Sequence, residues 1–160
     1  MTFLSRKADY ALLILYFLSK KEKGASCREI SEAFQLGRPF LANILKSLSH
    51  GGLVISHRGV HGGYVLSRPT NKIRLTDVLN ALTEPFHFNE CNTSNSDSEI
   101  GCAILGLCPI RQGMASLHDR ILAMLEDIKL NDLFAPAPGL HLIDLNLDAV
   151  SRHDSKLNLV

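Results

Sequence analysis

The strongest constraint on the fold is the stretch from residue 38 to residue 68, where a helical pattern is followed at once by two short strand patterns. In "RPFLANILKSLSH" the apolar residues recur at intervals of three and four, the period of a helix with one buried face. Gly51 and Gly52 end this helix, and Pro39 suits its first turn. The runs "LVISHR" and "YVLSR" then predict a hairpin with the glycine-rich tip "GVHGG".

Two further helices are predicted before this stretch. Ser5 can cap a first helix that runs to about Lys20, and Ser26 with Glu29 forms a capping-box pattern that opens a short second helix. The turn "QLG" separates the second helix from the third. Helix, short helix, turn, helix and hairpin is the order of a winged helix-turn-helix domain, in which the third helix enters the major groove of DNA. The predicted fold class is therefore mainly α with a small β wing.

Charge is divided unevenly along the chain. The formal net charge is +1, but residues 1–76 carry 12 Lys/Arg against 4 Asp/Glu, whereas residues 77–160 carry 5 against 12. A basic N-terminal half is typical of a surface that binds nucleic acid. The candidate DNA contacts are outward-facing residues of the third helix and residues of the hairpin: Arg38, Phe40, Asn43, Lys46, Arg58 and His61.

Neither an enzyme nor a membrane protein is indicated. The sequence has no nucleophile–base set and no nucleotide-binding glycine motif, because "GVHGG" belongs to the predicted wing tip. The apolar run Tyr10–Leu18 is far shorter than the ~20 residues that cross a bilayer, and no small-residue cleavage site follows it. We therefore expect a cytoplasmic DNA-binding protein that is not an enzyme and has no membrane partner.

A long helix is predicted after Pro109, and its apolar residues indicate pairing with another helix. Their steps of 4-3-4-3-4 follow the 3.5-residue period by which two helices pack side by side. A monomer would leave this seam exposed, so we expect a homodimer. The seam consists of Ile110, Met114, Leu117, Ile121, Met124 and Ile128.

These patterns divide the chain into four predicted parts. Residues 1–84 form the winged helix-turn-helix DNA-binding domain, in which Thr76 is the predicted N-cap of a fourth helix. Residues 85–108 form a cysteine-containing loop. Residues 109–134 form the dimerisation helix and a short helix, and residues 135–160 form a flexible tail.

Three of the four cysteines lie in the predicted loop. Cys91, Cys102 and Cys108 are spaced Cys-x10-Cys-x5-Cys, and cysteines in a cytoplasmic chain indicate metal or redox chemistry more than structural disulfides. Thiolates on irregular backbone suit an iron–sulfur cluster. Zinc would want a fourth cysteine or histidine, commonly in C-x2-C pairs. Zinc, a redox thiol site and the absence of a cofactor stay open as alternatives.

The chain also resembles a known family. The stretches "ADYALLIL", "REISEAFQL", "FLANILKSLSHGGLVISHRGVHGGYVLSRP" and "IRLTDVLNAL" are similar to the IscR/NsrR/RirA-type bacterial winged-helix repressors, over residues 1–134. The resemblance implies a homodimer that pairs through a long helix near the C-terminus. It also implies an iron–sulfur cluster held by three cysteines before that helix, at Cys91, Cys102 and Cys108.

In such regulators the ligand that adds to the three cysteines differs between 2Fe–2S and 4Fe–4S clusters. IscR-like members place a histidine three residues after the last cysteine and carry a 2Fe–2S cluster, whereas this chain has Arg111 at that position. NsrR-like members have a similar "TDYAL"-type start and an aspartate in the first helix that can ligate a 4Fe–4S cluster, and Asp9 matches that residue. The resemblance therefore favours 4Fe–4S, with 2Fe–2S as the alternative. Asp9 has a second interpretation, as an acid that stabilises the start of a helix.

The predicted function is a dimeric transcriptional repressor whose affinity for its operator depends on an iron–sulfur cluster. Nitric oxide, oxygen or redox state, and iron supply are the signals that such a cluster implies. The alternative is a cluster-free family member that regulates sulfur or cysteine metabolism through a metabolite or a protein partner. Cys27, in the second predicted helix, is expected to be a half-buried residue outside the site.

Overall fold

The computed structural model describes residues 4–57, 59, 62–84 and 107–135. The described elements confirm the predicted class, mainly helical with a small antiparallel sheet. None of the described helices is long and apolar enough to cross a membrane. In chain order the elements are α1 (Arg6–Ser19), α2 (Cys27–Phe34), α3 (Arg38–His50), β1 (Val54–His57), β2 (Gly63–Leu66), a 3₁₀ helix (Thr70–Lys72), α4 (Leu75–Ala81), α5 (Arg111–Asp127) and α6 (Leu130–Phe134).

The first two helices begin at the caps that the sequence predicts. At α1 the Ser5 hydroxyl accepts a hydrogen bond from the Ala8 N–H at 3.1 Å. At α2 the Ser26 hydroxyl accepts from the Glu29 N–H at 3.2 Å, and the Ser26 N–H donates to the Glu29 carboxylate at 2.7 Å. The hydrogen bonds from the Ser26 backbone and hydroxyl lower the pKa of the Glu29 carboxyl. These bonds confirm both predicted helix starts. The sequence could predict them because capping depends on residues within one turn.

The core lies between the helices of the DNA-binding domain and the base of the hairpin. The buried stripe of α3, predicted from its period, packs against α1, α2 and β1. Burial of each such side chain contributes about 1.5–3 kcal/mol relative to exposure. The fully buried residues of the stripe are Leu41, Ile44, Leu45 and Leu48.

The hairpin is fixed against the turn between α1 and α2. In the antiparallel pair, Val54 lies opposite Leu66. Ala25 adds a bridge to Tyr64, with hydrogen bonds of 3.0 and 2.8 Å in the two directions. A Cβ on Gly63 would lie 2.7 Å from the Ala25 carbonyl oxygen. Glycine at this position therefore allows the wing to approach the body of the domain.

The start of α4 differs from the prediction. Arg74, not Thr76, is the N-cap residue, and Thr76 is buried in the first turn. The Asp77 carboxylate accepts the Arg74 N–H at 3.0 Å, and the Leu75 N–H donates to the carbonyl of Ile128 at 2.9 Å. The Thr76 prediction is wrong because an acid inside the helix and a segment distant in sequence satisfy these donors.

After α5 the chain returns to the DNA-binding core. The Leu130 N–H donates to the Ile73 carbonyl at 2.9 Å, and Leu130 is fully buried in the same hydrophobic cluster as α1. The Phe134 ring packs edge-to-face on Tyr16, with centroids 5.2 Å apart. The C-terminal end of α5 is therefore anchored to the domain that α1 and α3 build.

Candidate nucleic-acid interface and cysteine site

The face of α3 opposite the core carries most of the predicted DNA contacts. Arg38, Asn43 and Lys46 are all exposed, because the buried stripe occupies the other side of the helix. Exposed His50 lies seven residues after Asn43 and therefore shares its side. A helix of 13 residues is about 20 Å long, and its polar side fits a major groove about 12 Å wide.

Phe40 has a different environment from the other predicted contacts. Its ring packs edge-to-face on Tyr10 of α1, with centroids 5.6 Å apart, and 40% of its surface is exposed. It therefore lies at the border between the outward face of α3 and α1. No sequence pattern indicates this pair, because the two aromatic residues are thirty positions apart in the chain.

At the wing, the predicted contacts Arg58 and His61 lie outside the described residues. The base of the wing is described, and there Arg68 donates to the Asp77 carboxylate at 2.9 Å and to the Lys72 carbonyl at 3.0 Å. The charge of Arg68 is therefore paired with α4. This ion pair joins the end of the hairpin to the helix that follows it.

Two of the four predicted cluster ligands lie within the described residues. Cys108 is a half-buried free thiol just before α5. Asp9 is exposed in the first turn of α1, and its carboxylate has no hydrogen-bond or ion-pair partner among the described residues. Cys91 and Cys102 lie outside the described residues.

The donor chemistry of these residues fits an iron–sulfur cluster. Thiolate is the usual protein ligand for iron in such clusters, and a carboxylate oxygen is a harder donor that binds the same iron less strongly. Both described donors are accessible, since Cys108 is partly exposed and Asp9 is exposed. Within the described part of the chain, no group of three or more His, Cys, Asp or Glu side chains is placed to hold a metal ion.

His118 is a poor substitute for the histidine that is missing at Arg111. It is buried on α5, and it lies seven positions after Arg111, which corresponds to roughly 10 Å along a helix.

The predicted dimer seam divides into two sides on α5. His118 and Leu125 are the buried residues of this helix. Ile110, Leu117 and Met124 follow one another at intervals of seven and are 64, 39 and 60% exposed; they are called the α5 stripe below. The remaining seam residues, Met114, Ile121 and Ile128, are half-buried between these two sides.

Comparison with known families decides the class of protein. The Rrf2 family, described as "Iron-dependent Transcriptional regulator", matches residues 4–136. The chain belongs to the Rrf2 family. The family consists of DNA-binding transcriptional regulators rather than enzymes, in agreement with the prediction.

Solved structures and a curated relative agree with the Rrf2 assignment. CymR, named as the global cysteine regulator of B. subtilis, is 28% identical with a TM-score of 0.62, over 84% of this chain and 97% of CymR. IscR of T. potens is 25% identical with a TM-score of 0.58, over 81% of this chain and 84% of IscR. Protein aau3 of Rhizobium meliloti (strain 1021) is 28% identical over 141 residues, 88% of this chain and 90% of aau3. The predicted family is confirmed, and the NsrR-like branch stays a prediction.

Proposed function

We propose that this Rrf2 regulator is a dimeric repressor that binds its operator through α3 and the wing, with an affinity that depends on an iron–sulfur cluster. The exposed polar face of α3 carries the DNA-binding part of the proposal. The accessible Cys108 thiol and Asp9 carboxylate, with the two other cysteines of the preceding segment, carry the cluster part.

On the DNA side, position along α3 suggests a role for each residue. Arg38 stands in the first turn, where a guanidinium can make a bidentate contact with a guanine edge. Lys46 stands two turns later and is suited to a phosphate. Asn43 lies between them, and Arg58 and His61 of the predicted wing would extend the contact along the backbone. Phe40 would add an apolar contact at the edge of this surface.

The α5 stripe supports dimerisation through residues 109–134. Three exposed apolar residues at heptad spacing form the kind of surface that pairs with a helix of the same pattern. Two-fold dimers are the commonest oligomers, and each subunit contributes the same surface to them. In this proposal the half-buried seam residues Met114, Ile121 and Ile128 complete the contact.

On the cluster side, Cys91, Cys102 and Cys108 would hold three corners, and Asp9 the fourth. When bound, a 4Fe–4S cluster, or a 2Fe–2S cluster as the alternative, supplies a group that reacts with nitric oxide or oxygen and depends on iron supply. Asp9 belongs to α1 of the DNA-binding domain and Cys108 precedes the dimerisation helix, so ligation by both residues would join these two parts. A weakly held oxygen donor at Asp9 leaves one corner labile.

The test is anaerobic purification with visible absorption, iron, sulfide and zinc analysis. The wild type should be brown, and Cys91→Ala, Cys102→Ala and Cys108→Ala should each lose the colour. Asp9→Ala should keep a cluster with altered reactivity. Cys27→Ala is the matched control, because this thiol lies outside the segment and should not change the spectrum. A colourless wild type with stoichiometric zinc, or full colour in Cys102→Ala, would refute the cluster.

The similarity to CymR supports one alternative, a cluster-free regulator of sulfur or cysteine metabolism. In that case a colourless anaerobic preparation binds the operator, and a metabolite or a protein partner changes its affinity. The same spectrum therefore separates the two candidate functions.

A further inference from the structure

The first turn of α1 is tied to the end of α4 at the point where the chain enters the cysteine-bearing segment, residues 85–106. The Ser5 hydroxyl donates to the Glu84 carboxylate while it accepts from the Ala8 N–H. The Lys7 ammonium donates to the Leu82 carbonyl at 3.1 Å. Glu84 is the last described residue before the segment. These two contacts join the start of α1 to the residues that directly precede the segment in the chain.

The end of α4 holds Glu84 in a defined place. Thr83 has φ +56°, and its N–H donates to the Asn80 carbonyl at 3.0 Å, while the Glu84 N–H donates to the Leu79 carbonyl at 3.1 Å. This is the hydrogen-bond pattern of a Schellman motif, whose left-handed residue is usually glycine or asparagine. A β-branched residue is uncommon in that conformation. The direction in which the chain leaves α4 is thus fixed by backbone bonds.

From Ser5 a short path leads to the recognition helix. The Asp9 N–H donates to the Ser5 carbonyl at 3.0 Å, and Tyr10 is the next residue. The Tyr10 ring packs on Phe40 with centroids 5.6 Å apart and planes at 85°. Phe40 lies in the first turn of α3, two residues after Arg38.

We infer that the Glu84–Ser5 contact, acting through the first turn of α1 and the Tyr10–Phe40 pair, transmits the state of the cysteine-bearing segment to the recognition helix. This inference rests on the proposed function, because it needs two states of the segment, with and without its cluster. Glu84 is a positioning residue, since it holds neither the cluster nor DNA. Release of its bond to Ser5 removes one of the two contacts that hold the start of α1 on the end of α4. A shift of Tyr10 then changes how Phe40 supports the first turn of α3.

The experiment compares operator affinity of the loaded and the cluster-free protein under anaerobic conditions. Coupling between two sites commonly amounts to about 5–150-fold in affinity, and we expect the wild-type ratio in that range. Glu84→Ala should keep its cluster colour and reduce the ratio to within about threefold of unity. Glu84→Gln should keep the wild-type ratio, because its amide oxygen still accepts the Ser5 hydroxyl proton.

Variants at the other end of the path sharpen the result. Tyr10→Leu should lower the ratio as Glu84→Ala does, whereas Tyr10→Phe keeps the ring and should keep the ratio. If both changes interrupt one path, the double variant Glu84→Ala/Tyr10→Leu has the same ratio as either single variant. A wild-type ratio in Glu84→Ala, or loss of its cluster colour, would overturn the inference and leave the proposed function standing.

A second measurement needs no cluster. In cluster-free protein, Glu84→Ala should speed amide hydrogen exchange at Leu41, whose N–H donates to the Gly37 carbonyl at 3.0 Å in the first turn of α3. The matched control is Glu126→Ala, an exposed acid of α5, which should leave that amide unchanged. Unchanged exchange at Leu41 in Glu84→Ala would overturn the inference, whether or not the wild type holds a cluster. Absence of a cluster from the wild type would refute the proposed function and would leave this exchange measurement valid.

Discussion

Helices α3 and α5 carry the same kind of apolar period and have different surroundings. In α3 the periodic residues Leu41 and Ile44 are fully buried by the chain itself, whereas Ile110, the N-cap residue of α5, and Met124 are 64 and 60% exposed. The spacing of apolar residues indicates that a helix has an apolar side. It does not indicate whether residues of the same chain or of a partner cover that side.

The difference has an energetic consequence. Burial of an aliphatic side chain contributes about 1.5–3 kcal/mol, and in α3 this free energy belongs to the folding of one chain. On the α5 stripe, whose side chains are partly exposed, the proposed dimer would gain the same free energy on association. Stability that depends on α5 should therefore rise with protein concentration, and stability that depends on α3 should not.

The largest expected effect comes from placing charge on the stripe. In Leu117→Glu/Met124→Glu each two-fold dimer would carry four carboxylates in an apolar interface. We expect complete conversion to monomers, measured by sedimentation equilibrium. The matched control is Ala123→Glu, because Ala123 is exposed on α5 outside the stripe and should leave the dimer intact. A double variant that remains dimeric would refute the assignment of the α5 stripe to the dimer interface.

The next effect separates the two helices by stability. Ile44→Ala should lower the free energy of unfolding by about 2–5 kcal/mol, because it opens a cavity in the core. The loss of unfolding free energy in Ile44→Ala should be the same at all protein concentrations. Met124→Ala should lower the urea midpoint only at concentrations where the wild type is dimeric. A concentration-independent loss in Met124→Ala would show that the monomer, not a partner, buries this side chain.

A smaller effect is expected on the polar side of α3. Arg38→Ala should weaken operator binding by about 1–3 kcal/mol and relax the preference at one base position. Lys46→Ala should weaken binding to all sequences alike and reduce the salt slope by about 1. Fluorescence anisotropy at several salt concentrations measures both. Equal, sequence-independent losses from the two variants would argue against base contact by Arg38.

The smallest effect concerns the cap of α2 and depends on pH. Hydrogen bonds from Ser26 lower the pKa of the Glu29 carboxyl, so the ionised form stabilises the folded state. This contribution is present above the unfolded pKa of about 4.3 and is lost as pH falls through the lower folded pKa. Thermal unfolding should show Glu29→Gln less stable than the wild type at pH 6, with the two curves converging in acid. A difference that persists unchanged in acid would exclude this role.

Sequence reasoning predicted best what is local. The Ser5 cap, the Ser26–Glu29 box and the exposed side of α3 each depend on residues within one or two turns. The winged-helix order of elements followed from these signals and was sufficient for the fold class. The predicted residues Arg38, Asn43 and Lys46 lie on one exposed surface for the same reason.

Contacts between distant segments could not be predicted in this way. The Leu75 N–H is satisfied by Ile128, more than fifty positions later, so the prediction of Thr76 as a cap was wrong. The Glu84–Ser5 contact likewise joins residues 79 positions apart. No period or cap marks such pairs, because tertiary packing alone brings them together.

One measurement tests the central claim. The claim is that the DNA-binding core folds within one chain, whereas the cysteine-bearing segment binds a cluster and α5 packs against a second copy of the chain. Native mass spectrometry of anaerobically purified protein measures the cluster content and the oligomeric state together. We predict a dimer whose mass exceeds that of two chains by iron and sulfide, and which returns to the polypeptide mass in Cys108→Ala. A monomer at micromolar concentration, or a dimer that carries no iron and sulfide, would contradict the account.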